Sequence, residues 1–277
     1  MRLKIFSYLF MALCTHQLYA VQVTRDITYT HTGQKMDLLL PERTELDPPR
    51  AAAIVMHSGG WVSGERSEMA FIAQWFAEQG LVVINVDYTL ATSAEKKWPA
   101  QLADVIQGVW WLKENATEYH INPDKILAVG ASAGGYLAAM LGQTSVSNFQ
   151  SGVDSEVHGL VCYSAPWDLL NANSAEQRYY TSLLLSSSTA EALYLASPLY
   201  QITRHSPPVL IFHGTEDVLV PFQQSDAACH AYLSKGLESC SLQPLAGCTH
   251  FLERSDIEAS FDSIRLFLNS WLATEEH

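Results

Sequence analysis

Basic residues are scarce in this chain: 16 lysines and arginines stand against 29 aspartates and glutamates, a formal net charge of -13. That balance argues against nucleic acid and against anionic membrane surfaces as partners. Long hydrophobic runs are missing as well. The apolar stretch Ile5 to Leu13 is too short to cross a bilayer, and no later segment has the length of a transmembrane helix. The chain has no internal repeat, linker or low-complexity tract. No phosphate-cradling glycine loop, dinucleotide fingerprint or metal-ligand spacing is present, so no cofactor and no metal are expected. Cysteine is sparing too, with five in 277 residues.

What is present describes a packed globular protein. Hydrophobic residues make up 48% and charged residues 16%, and the length suits one large α/β domain rather than two ordinary ones. Arg2 and Lys4 ahead of the short apolar run, with Leu18-Tyr19-Ala20 as a cleavage site, read as a secretory leader over residues 1–20. The domain is then expected over 21–277, in a secreted or periplasmic location. Cys14 is no lipoprotein cysteine, because Leu13 stands where a small residue is needed. Of the remaining four, Cys162 lies in a buried strand pattern and reads as an inert core thiol. Cys240 and Cys248 bracket a strand that holds them too far apart to bond. Cys229 sits on a helix and Cys240 on the strand returning beside it, so a bridge is favoured there.

Apolar periodicity then alternates along the chain. Val21 to Thr30 and Lys35 to Leu40 suggest an antiparallel hairpin around His31-Thr32-Gly33. Ala51 to Met56 is a continuous apolar run of the kind buried on both sheet faces. Ser67 to Glu78 reads as an amphipathic helix ended by Gly80, and Leu81 to Val86 as the next buried strand. A helix over Pro99 to Glu114, with proline in its first turn, precedes a strand over Lys125 to Val129 and a helix-forming run from Tyr136 to Leu141. Strands over Gly159 to Tyr163, Pro207 to Phe212 and Ser241 to Leu245, helix Gln223 to Leu233 and a closing helix from Ser255 to Trp271 complete the pattern. This alternation predicts an α/β fold with a mostly parallel central sheet, an antiparallel N-terminal edge and helices on both faces. Asp168 to Leu199 breaks the rhythm, being helical and strandless. It is expected to form a small cap over the carboxyl edge of the strands, where such sheets bind ligands.

The chemistry centres on Gly130-Ala131-Ser132-Ala133-Gly134, between the strand Lys125 to Val129 and the following helix. In so tight a turn, large residues two positions either side of the serine would clash, and Ser132 projects its Oγ above the sheet edge. A serine hydroxyl is a weak nucleophile until a positioned base takes its proton. Among ten histidines, His250 has the right place, beyond the last strand and before the closing helix. His213, inside His213-Gly214-Thr215-Glu216-Asp217, reads as a brace for the acid's loop. Asp217, after the strand ending at Phe212, is the expected orienting acid; Glu216 beside it points elsewhere, and Asp168 is the other candidate. Backbone donors for an oxyanion are expected from Ala133 and from Gly59 and Gly60, in the loop His57-Ser58-Gly59-Gly60-Trp61. Trp61, Trp167 and Phe251 flank these loops as candidate substrate-binding walls.

Taken together, Gly130 to Gly135, His57 to Trp61, Asp87-Tyr88, Asp217 to Pro221 and His250-Phe251 resemble the α/β-hydrolase superfamily. Within it they are similar to the esterase/lipase group, which includes hormone-sensitive-lipase-like and secreted carbohydrate-esterase or feruloyl-esterase-like proteins. The resemblance implies a catalytic triad of Ser132, Asp217 and His250, with an oxyanion hole at Gly59, Gly60 and Ala133. Ser58 stands where the family usually has glycine, and Ala131 replaces an aspartate frequent in the hormone-sensitive-lipase branch, which favours the carbohydrate-esterase branch. The expected activity is a secreted serine esterase acting on small or short-chain acyl esters, with carbohydrate-linked acetyl or feruloyl groups among them. A serine peptidase or amidase would use the same triad, and a silent binding protein could keep the same fold.

Overall fold

The structure, a computed structural model, describes residues 18–44, 46–94, 97–143, 155–172 and 174–273. Among them, eight strands form one sheet. They are β1 (Val21–Thr28), β2 (Lys35–Pro41), β3 (Arg50–Met56), β4 (Val82–Val86), β5 (Ile121–Ala131), β6 (Gly159–Tyr163), β7 (Val209–Gly214) and β8 (Cys240–Leu245). Their order across the sheet is β1-β2-β4-β3-β5-β6-β7-β8. β1 and β2 form the antiparallel hairpin, β2 runs antiparallel to β4, and every later pairing is parallel. The fold expected from the alternation is the fold observed.

The period of two along a strand explains why the central runs are continuously apolar. In β3, Ala52, Ile54 and Met56 face one core while Ala51, Ala53 and Val55 face the other. In β5, Ile126 and Ala128 separate in the same way from Leu127 and Val129. The first core is covered by α2 (Ala100–Glu114), α4 (Ala133–Gln143) and α8 (Gln223–Ser234). The second lies under α1 (Ala70–Glu78) and α10 (Phe261–Ala273), whose Ile264, Leu268 and Trp271 recur on one helical stripe. Burying each such side chain contributes about 1.5–3 kcal/mol.

Some boundaries differ from those the sequence suggests. The Ser67 to Glu78 helix begins as a 3-10 turn over Arg66–Met69, where the Arg66 guanidinium gathers Asp26, Asp37 and Asp87. Pro99 caps α2 from outside rather than lying in its first turn. The closing helix is two, α9 (Arg254–Ala259) and α10, broken at buried Ser260. The Ser260 hydroxyl donates to Ile257 O at 2.6 Å, so Tyr163 OH, at 2.6 Å, donates to it. That bond ties the break to the end of β6.

The 168–199 segment carries α5 (Ala175–Leu184), α6 (Ala190–Leu195) and the start of α7 (Pro198–Gln201). α3 (Ala116–Tyr119) is a single turn after α2. Ser174 and Thr189 cap α5 and α6 by accepting the backbone N–H groups of Gln177 and Ala192. Cys229 and Cys240 are bonded, linking the middle of α8 to the first residue of β8 with their Cα atoms 5.3 Å apart. Cys162 is a buried free thiol whose ionisation burial pushes far up, so it is inert. Residues 1–17 of the expected leader lie outside the described residues. Of its last three, Tyr19 donates its N–H to Glu78 O at 3.1 Å and packs its ring under the Arg50 guanidinium.

Candidate active site

Ser132 occupies the single position between β5 and α4, at φ 52°, a left-handed conformation that a non-glycine residue adopts only under constraint. The constraint is close approach. A Cβ on Gly134 would lie 2.2 Å from Met56 O, so only glycine lets α4 start against the end of β3. Ser132 N–H donates to Tyr163 O at 2.7 Å, which fixes the turn against β6.

The three expected side chains meet. Ser132 Oγ lies 2.8 Å from His250 Nε2, and His250 Nδ1 lies 2.7 Å from Asp217 Oδ2. All the parts come from loops at the carboxyl ends of β5, β7 and β8, so sheet order sets their spacing. Asp217 Oδ1 accepts the N–H groups of Leu219 and Val220 at 3.0 and 2.8 Å, wrapping the loop around the carboxylate. His213 takes the bracing place expected of it: its Nε2 faces Val220 O at 2.8 Å and Asp217 Oδ2 at 3.1 Å. Two acceptors at one nitrogen require the proton there. Burial opposes charge on Asp217, yet the hydrogen bonds from His213 and then His250 outweigh it and hold the carboxyl down to about 2. Asp168, the other candidate acid, instead accepts the N–H groups of Leu170 and Asn171 and the hydroxyl of Tyr200, and braces the start of the cap.

On the other side of Ser132, Gly59, Gly60 and Trp61 are three consecutive residues at positive φ. The turn closes on Gly59 O, which accepts the N–H groups of Val62 and Ser63, both at 3.1 Å. Beneath it lies His57, fully buried, stacked on Tyr88 with ring centroids 4.1 Å apart, and bonded through Nδ1 to Ser58 O at 2.7 Å. Burial lowers the basicity of the His57 imidazole, against the opposing pull of its bond to Ser58 O. Tyr88 OH donates to His57 O at 3.0 Å. Ser58 keeps its hydroxyl on the cavity side, 3.4 Å from Glu68.

A cavity of about 380 Å³ opens in front of Ser132 and His250. Gly59, Gly60 and Ala133 line it, as do Trp61 and Phe251, so five expected residues stand at its wall. Trp167 does not. Its side chain is fully buried in the core under the cap, and its backbone N–H donates to Gln224 Oε1 at 2.9 Å. The expectation that Trp167 walls the substrate is corrected: helix α7 folds back over it, with Leu199 N–H donating to Trp167 O. The cavity takes instead Gln177 and Tyr180 from α5 and Ser164 from the end of β6. No local motif marks these three residues; for Gln177 and Tyr180 the helical pattern of the cap is the only signal, and for Ser164 there is none. Among the described residues no cluster of metal-ligating side chains occurs.

The BD-FAE family model matches residues 36–232. Esterase LipQ of Mycobacterium tuberculosis is 28% identical over 249 residues, covering 85% of this chain and 58% of its own length. The chain thus spans less than two thirds of that relative. Among solved structures, an esterase from Thermogutta terrifontis superposes with a TM-score of 0.76 at 23% identity, over 93% of this chain and 95% of that one. A truncated carbohydrate esterase from gut microbiota gives a TM-score of 0.73 at 22% identity, over 90% and 97% of the two chains.

Proposed function

This chain belongs to the BD-FAE family, within the α/β-hydrolase esterases, and on that premise we propose that it is a serine carboxylic-ester hydrolase. The observation that carries the reading is the hydrogen-bonded sequence Ser132–His250–Asp217 opening on the cavity. His250 Nε2 takes the Ser132 proton as Oγ adds to the ester carbonyl. Asp217, already ionised, stabilises the imidazolium that results. The tetrahedral oxyanion is received by the N–H of Ala133 at the start of α4 and by those of Gly59 and Gly60. His250 then returns the proton to the departing alcohol, leaving an acyl-enzyme, and a water activated by the same imidazole releases the acid.

The preferred substrate is a small or short-chain acyl ester, and a carbohydrate or other polyol is the alcohol we favour. A cavity of about 380 Å³ suits such a molecule, and the gut-microbiota structure bears the name of a carbohydrate esterase. A leader over residues 1–20 would deliver the enzyme outside the cytoplasm, as secreted or periplasmic protein; the Cys229–Cys240 bond suits that setting. N-terminal sequencing of exported protein that found Met1 intact would sink that part.

The activity is tested with a chromogenic short-chain ester and the matching anilide. Wild type is expected to hydrolyse the ester far faster, and Ser132→Ala to lose about 10⁴- to 10⁶-fold in kcat/KM with an unchanged circular dichroism spectrum. Preferential anilide cleavage would favour an amidase. Full activity in Ser132→Ala would place the nucleophile elsewhere.

A further inference from the structure

Ser164, the first residue after β6, combines three properties. It is a non-glycine residue at φ 44°. It is 2% exposed, and among the described residues its Oγ has no hydrogen-bond partner. It nevertheless lines the cavity in front of Ser132. Buried hydroxyls are almost always paired, because an unpaired one forfeits its hydration for nothing. A residue that carries both backbone strain and an unpaired hydroxyl at a cavity wall is placed for a partner that arrives with the ligand. Among the described residues the indole N–H groups of Trp61 and Trp167 also lack partners; Trp167 does not reach the cavity, and Trp61 lines it on the opposite flank, beside Gly59 and Gly60.

The position of Ser164 is fixed by the sheet. Its N–H donates to Phe212 O at 2.8 Å, and Tyr163 before it accepts the Ser132 N–H. Tyr163 lies opposite Ala131 in the register of β5 and β6, so Ser164 stands level with Ser132, one strand over. The order of strands then decides which part of a substrate passes it. The loop holding Gly59 and Gly60 follows β3, on one side of β5, and draws the ester carbonyl oxygen that way. Ser164 follows β6, on the other side, between Ser132 and the loop of Asp217. His250 must hand its proton to the leaving oxygen on that side, so the alcohol, not the carbonyl oxygen, lies beside Ser164.

We propose that Ser164 is a specificity-determining residue whose hydroxyl hydrogen-bonds a hydroxyl group of the leaving alcohol, so that the site selects esters of polyols over esters of simple alcohols. This assignment rests on the serine-esterase reading. It needs no group beyond Ser164 Oγ, which donates to or accepts from a substrate hydroxyl on the carbon next to the ester.

The test compares glycerol monoacetate with ethyl acetate, which share the acyl group and differ in the hydroxyls of the alcohol. In Ser164→Ala the ratio of kcat/KM for the first over the second is expected to fall about 3- to 10-fold relative to wild type. The melting temperature is expected to hold or rise, since the deleted hydroxyl has no partner among the described residues. Ser164→Gly, which also relieves the positive φ, should show the same fall in ratio with a higher melting temperature. A ratio within twofold of wild type in both variants overturns the assignment. So does a melting temperature lowered by several degrees in Ser164→Ala, which would mean the hydroxyl was already paired. The Ser132→Ala control separates the two levels. Ester hydrolysis that requires Ser132 with an unmoved ratio overturns the role of Ser164 alone. A wild type without Ser132-dependent turnover of either ester overturns the esterase reading and this assignment with it.

Discussion

The two sides of Ser132 are held by different physics. On the β3 side, the donors we propose are backbone N–H groups in a turn of three positive-φ residues, supported from below by the stacked rings of His57 and Tyr88. On the β7 and β8 side, the working groups are side chains, held by charge and hydrogen bonds around one buried carboxylate. The first side depends on which residues can adopt the turn and is indifferent to pH through Gly59 and Gly60 themselves. The second depends on protonation, and its members are side chains that can be replaced one at a time. An active site can thus be rigid in shape on one flank and titratable on the other.

The sharpest way to break the comparison acts on the titratable side. Asp217→Asn is expected to cut kcat/KM about 10⁴-fold while leaving the donor turn intact. The same variant has a second signature. Because the Asp217 carboxyl is held at about 2 against an ordinary 3.8, its contribution to stability is complete above about pH 4 and is lost as the pH falls toward 2. The amount is about 2 kcal/mol, so wild type should lose urea stability between pH 4 and pH 2 more steeply than Asp217→Asn does. Equal slopes would show that the carboxylate is not held as described.

The backbone side should give a smaller kinetic effect and a larger structural one. A Cβ on Gly59 would lie 2.1 Å from Ser63 O, and the residue sits at φ 106°. Gly59→Ala should therefore lose about 10²- to 10³-fold in kcat, the cost of losing a positioned donor, with a lowered melting temperature. A variant with wild-type kinetics would remove this loop from the reaction. The smallest kinetic effect is expected from the disulfide, which joins the middle of α8 to the start of β8, away from the loop that carries His250. Replacing Cys229 and Cys240 by serine should cost about 2–3 kcal/mol in denaturant unfolding, as closure of so short a loop suggests, with kcat within twofold. A large loss of activity at full stability would contradict that separation.

The sequence made the parallel sheet, the tight turn at Ser132 and the order Ser132, Asp217, His250 legible, because each rests on local signals. Continuous apolar runs demand two covered faces, glycines at 130 and 134 demand a tight turn, and a late histidine beyond the last strand has few other places to go. What it hid were contacts between residues far apart in the chain. Arg66 joins Asp26, Asp37 and Asp87 only once the hairpin and β4 are adjacent. The helix break at Ser260 answers to Tyr163, 97 residues away. Trp167 misled for the same reason: proximity to a catalytic loop along the chain says nothing about which way a cap will fold over it. Tyr180 is the converse case. It lies on a helix with no catalytic motif, yet its ring would meet a Cβ on Gly60 at 2.5 Å, so the cap reaches the donor turn.

The Cys229–Cys240 bond also changes how the molecule is connected. Asp217 precedes α8 and His250 follows β8, and the only chain between them runs through the exposed turn at Leu233 to Gly236. With the bond in place, residues 229–240 form a closed ring. A protease that cuts this turn opens the ring instead of dividing the protein, and Asp217 and His250 stay on one covalent piece.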